Sequence, residues 1–61
     1  MPDGELELDG LHYAASNIEG DSWMVRRWKT SREFYDEARI DVGTSSVEEV
    51  IKAAIERGSW A

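Results

Sequence analysis

Few side chains in this sequence could do chemistry, and their grouping limits what that chemistry could be. His12 is the single histidine, and cysteine is absent. A histidine beside a carboxylate can act as an oriented base. Without cysteine or a motif-placed serine, however, it has no nucleophile to activate. A lone strand histidine is most simply a surface residue. Thirteen Asp and Glu among 61 residues bring carboxylates together by chance, so their number alone signals neither glycoside hydrolysis nor a metal site. Gly43-Thr44-Ser45, ahead of a helix, offers a weak anion contact and no Gly-rich phosphate loop. The chain also lacks the volume to enclose a ligand pocket of about 300 Å³ or more. No catalytic residue, metal ligand or cofactor is expected, and the chain reads as a non-enzymatic binding protein.

Charge is distributed unevenly around a net value of −6. Residues 1–21 carry six acids and no Lys or Arg, whereas residues 22–32 carry four bases and no acid. Residues 33–61 return to acid, with seven carboxylates against three bases. A molecule of this sign is repelled from nucleic acid at long range unless its basic segment is presented alone. That segment includes Trp23-Met24-Val25-Arg26-Arg27-Trp28-Lys29, which interleaves bases with aromatics.

The elements that must position these residues follow from periodicity. Glu5-Leu6-Glu7-Leu8 alternates polar and apolar, as a half-buried strand does. Asp9-Gly10 is a strong hairpin signal, and folding on it sets Leu8 opposite Leu11, Glu7 opposite His12 and Leu6 opposite Tyr13. The second strand is expected to run through Ser16, with Asn17–Asp21 as a loop. Strands over 23–29 and 34–42 follow. Pairing Trp28 with Tyr35 sets Arg27 against Asp36, Arg26 against Glu37 and Val25 against Ala38, whereas a one-residue slip loses most of these matches. Ser46-x-x-Glu49 forms a capping box, with Ser45 and Glu48 as a competing frame. Val47, Val50, Ile51, Ala54 and Ile55 then make one apolar stripe, and Gly58 is expected as a left-handed cap. A helix over 47–57 is predicted, with Glu48 and Lys52 paired along it. The fold class is α+β: a single domain over 1–61, with a small antiparallel meander of three to four strands packed on one C-terminal helix.

With the helix on one face, the core is expected to take Leu6, Leu8, Leu11, Tyr13, Trp23, Val25, Phe34, Ala38, Ile40 and Val42. One helix cannot cover both faces of a sheet. The face left over carries Met24, Arg26, Trp28, Tyr35, Glu37 and Arg39, a composition favoured at interface centres. These six are the candidate partner-binding residues. Trp28 and Tyr35 could instead simply pin the hairpin register. Trp60 could fold back over them or pack as an opportunistic tail.

Three functional expectations compete. In the first, the chain is a protein-binding module whose partner carries a basic, nucleic-acid-binding surface. In size, charge and lack of cysteine it resembles the class of phage-encoded inhibitors of host machinery, anti-CRISPR and anti-restriction factors included. In the second, the third strand contacts DNA or RNA through phosphate pairing and stacking. Strands two to four and the helix resemble AP2-type and integrase arm-binding DNA domains in order of elements. The expected pairing of Arg26 and Arg27 with carboxylates argues against that use. In the third, strand one or four is an edge that pairs with a second copy as a homodimer, although Glu5, Glu7 and Asp9 blunt the first edge. The start, Met1-Pro2-Asp3-Gly4-Glu5, is unlike a signal peptide, and no apolar run approaches the roughly 20 residues of a membrane helix. A complete, cytoplasmic protein without membrane contact is expected.

Overall fold

The computed structural model describes residues 3–58 and Trp60. It is an α+β fold of four antiparallel strands and one helix: β1 (Gly4–Leu8), β2 (Leu11–Glu19), β3 (Ser22–Trp28), β4 (Tyr35–Asp41) and α1 (Val47–Arg57). The strands lie in the order β1-β2-β3-β4, so every strand pairs with its neighbour in the chain. Among the described residues no helix is long and apolar enough to cross a membrane.

The first hairpin has the register its sequence dictates, with Leu6 opposite Tyr13, Glu7 opposite His12 and Leu8 opposite Leu11. Asp9 and Gly10 have φ of 51° and 79°, the two left-handed residues of a turn whose twist suits a hairpin. The last hairpin also has the expected register, from Trp28 opposite Tyr35 to Trp23 opposite Ile40. Arg26 Nε and Arg27 Nε each donate at 3.0 Å, to Glu37 and Asp36 respectively.

Several boundaries differ from expectation, each for a local reason. Residues 17–19 belong to β2 rather than to a loop, and only Gly20-Asp21 turns. A bulge between Asn17 and Glu19 takes up the mismatch. The Asn17 amide there donates to the Gly20 and Ser22 carbonyls at 3.0 and 3.1 Å, so a turn-type side chain braces a strand end. Phe34 lies outside both strand and core, at 79% exposure. Its N–H closes a turn onto the Ser31 carbonyl, and β4 therefore begins only at Tyr35. Gly58 has φ −69° and is not left-handed. It is confined by space instead, since a Cβ there would lie 2.4 Å from the Ala54 carbonyl oxygen.

The helix lies on one face of the sheet. Tyr13, Ala15, Trp23 and Val25 are buried against Val50, Ile51 and Ala54. Leu6, Leu8, Leu11, Ile40 and Val42 pack around that cluster, and Ala38 is buried too. Ile55, the last member of the predicted stripe, is 43% exposed: the stripe is wider than the contact. At the helix start the Ser46 hydroxyl accepts the Glu49 N–H at 3.4 Å. The return half of the capping box is rerouted. Thr44 Oγ1 accepts the Ser46 N–H and donates its own proton to the Glu49 carboxylate. Glu48 and Lys52 pair at 3.1 Å along the outer surface.

Candidate functional site: the helix-free sheet face

Antiparallel pairing lays side chains on the face opposite the helix in rows across the strands. One row runs Glu7, His12, Trp28, Tyr35; the next runs Glu5, Ala14, Arg26, Glu37; a third holds Ser16, Met24 and Arg39. Ala14 and Ser16 sit at the centre of the sheet on this face, and their short side chains leave a floor. Trp28, Tyr35, Met24 and Arg26 rise around it, enclosing an open concavity of about 420 Å³. This volume is an open surface dish rather than an enclosed cavity.

Guanidinium groups cover both aromatic rings. Arg26 lies over the Tyr35 ring at 4.9 Å to its centroid while binding Glu37 through Nε. Arg32, from the turn between β3 and β4, lies over the Trp28 ring at 4.9 Å and pairs with Glu5 across the sheet on β1. The hydrogen bond from Arg32, aided by its charge and that of His12, holds the Glu5 carboxyl below the usual carboxylate range; Glu5 in turn raises the Arg32 guanidinium. His12 stacks on the other side of the row, with ring centroids 5.6 Å from Trp28 and planes 12° apart. Its Nε2 is 3.6 Å from Glu7.

The six residues expected on this face are all placed there, but not equally. Met24, Arg26, Trp28 and Tyr35 line the concavity, and Glu37 joins it through Arg26. Arg39 does not line it; it stands beside Met24 at the rim, with no carboxylate partner among the described residues. Three further lining residues are Ala14, Ser16 and Arg32. The period-2 spacing of two small residues on one face of the second strand is the signal that could have found the floor. Arg32 has no comparable local signal, because its partner Glu5 lies 27 residues away.

No family model, curated protein or solved structure matches this chain.

Trp60 does not cover the site. It packs on the helix side, edge-on to Tyr13 at 6.2 Å, with the Arg27 guanidinium 4.3 Å from its ring centroid. Arg27 is thereby held between Trp60 and Asp36, on the opposite face from Arg26. Among the described residues no group of three or more His, Asp or Glu is placed to hold a metal ion.

Proposed function

We propose that this chain is a non-enzymatic protein-binding module whose contact surface is the helix-free face of the sheet. One observation carries the reading: Trp28 and Tyr35 stand side by side at the wall of a concavity that no element of the described chain covers. Aromatic and arginine side chains around a shallow depression are the composition that dominates binding energy at interface centres. The net charge of −6 supports a basic partner, and the most specific form of the proposal is an inhibitor of a host nucleic-acid-handling complex. Lack of cysteine suits action in the cytoplasm.

Direct DNA or RNA binding by β3 is the less favoured alternative. Arg26 and Arg27 each already bind a carboxylate at 3.0 Å and point to opposite faces. The deciding experiment is affinity capture from a lysate of the native host, using the chain and its Trp28→Ala/Tyr35→Ala double variant as baits. A partner retained by the first and lost by the second supports the proposal. Equal retention, with the variant folded by circular dichroism, overturns it. Tight, salt-sensitive gel shifts of an oligonucleotide would favour the alternative instead.

A further inference from the structure

The face of an indole ring attracts cations through its quadrupole, and a carboxylate beside it adds charge and hydrogen-bond acceptors. Trp28 with Glu5 is such a pair, and here it already holds a guanidinium, that of Arg32. This occupant does not belong to the sheet. Arg32 reaches in from the connection between β3 and β4, where residues 29–34 are exposed apart from a half-buried Ser31. The contact it makes is solvent-exposed on both sides, and ion pairs of that kind hold weakly. The Arg26–Tyr35–Glu37 set is built differently, between directly paired strands.

We infer that the Trp28–Glu5 site is a receptor for an arginine side chain of a basic partner segment, and that Arg32 is its internal stand-in. The inference rests on the proposed use of this face and names the chemistry that the face recognises. Charge complementarity commits the occupant. Glu5 and Glu7 lie exposed on β1, across β2 from the indole and on the same face, in an acidic molecule. Arginine suits the site better than lysine. Its planar fork both stacks on the indole and binds a carboxylate through two donors, whereas an ammonium is a compact, strongly hydrated point charge. The concavity of about 420 Å³ next to the ring leaves room for the aliphatic stem and adjoining backbone. Arg32 then acts as a self-competitor, lowering apparent affinity by the fraction of molecules in which it fills the site.

The test titrates the full chain with an acetylated, amidated tetra-arginine peptide, following the backbone amide resonances of β2, β3 and β4 by NMR. Arg32→Ala is expected to bind about three- to tenfold more tightly than the parent, since a weak internal occupant has been removed. Arg57→Ala makes the same charge change on the helix and is expected to bind like the parent. Trp28→Ala and the exposed Glu5→Gln are each expected to weaken binding by at least about threefold, and Glu5→Gln keeps the test readable if Trp28→Ala fails to fold. Tetra-lysine is expected to bind more weakly than tetra-arginine. The inference is overturned if Arg32→Ala binds no more tightly than Arg57→Ala. It is equally overturned if Glu5→Gln binds like the parent or if the two peptides bind alike. A partner captured through Trp28 and Tyr35, together with no gain in Arg32→Ala, would sink the arginine receptor and leave the binding module standing.

Discussion

Replacing Gly4 with alanine tests how the helix is seated on the first strand. A Cβ at Gly4 would lie 2.9 Å from both Val47 methyl carbons, whereas carbon atoms in contact prefer about 3.5–4.0 Å. Overpacking of this kind costs about 1–3 kcal/mol, because a valine at the first turn of a helix has little rotamer freedom with which to yield. Against this, removing a glycine from a strand returns about 0.5–1 kcal/mol of conformational entropy. Gly4→Ala is therefore expected to destabilise the parent by about 1–2 kcal/mol. In a Val47→Ala background the two methyls at 2.9 Å are gone and only the Cβ at 3.2 Å is still close, so the same substitution should cost about 1–3 kcal/mol less than in the parent. The two changes thus couple by about 1–3 kcal/mol. Urea unfolding of all four proteins, followed by tryptophan fluorescence, measures the coupling. Effects that add to within about 0.5 kcal/mol would refute the contact between α1 and β1 as the reason for glycine here.

Three further outcomes are expected. Phe34→Ser should change stability by no more than about 0.5 kcal/mol in thermal unfolding, because the ring is 79% exposed and lies outside the core. Gly58→Ala should cost about 1–3 kcal/mol in the same assay, since its Cβ would meet the Ala54 carbonyl oxygen at 2.4 Å and the Ala38 Cβ at 3.2 Å. Glu5 has a folded pKa below its ordinary 4.5, so its stabilising contribution is present above that value and is lost as pH falls through the lowered one. The difference in unfolding midpoint between the parent and Glu5→Gln should accordingly be largest near neutral pH and shrink as the solution is acidified below 4.5; a constant difference would remove Arg32–Glu5 from the account.

Much of the fold was legible because its determinants are local. Asp9-Gly10 carries its own turn geometry, and the alternation of Arg26 and Arg27 against Asp36 and Glu37 fixes a register within one hairpin. The helix stripe and Ser46 cap need only a dozen residues to be read. What could not be read depends on contacts between distant residues or on space. Phe34 looked like the first member of a strand pattern, but its N–H is spent on the Ser31 carbonyl. Gly58 sits in the usual place for a left-handed cap, yet it is selected by the close approach of Ala38 and the Ala54 carbonyl. Asn17 looked like a loop residue and instead braces a bulge. The candidate face was found from strand alternation, while the Arg32–Glu5 pairing across its centre leaves no trace in any local window.

The strand order has a kinetic corollary. A sheet ordered β1-β2-β3-β4 closes only loops between adjacent segments, so each hairpin can form on the scale of about 1–10 μs without waiting for a remote partner. The long-distance step is left to the helix, which sets Val47 over Gly4 at one edge strand and Gly58 over Ala38 at the other. Docking of α1 is then the event that commits the chain, and the unfolding rate should respond most to residues such as Val50 and Ile51, whose burial arises only when that docking is complete. A helix that spans both edges in this way acts as a clasp, and the sheet it fastens is free to leave its other side uncovered.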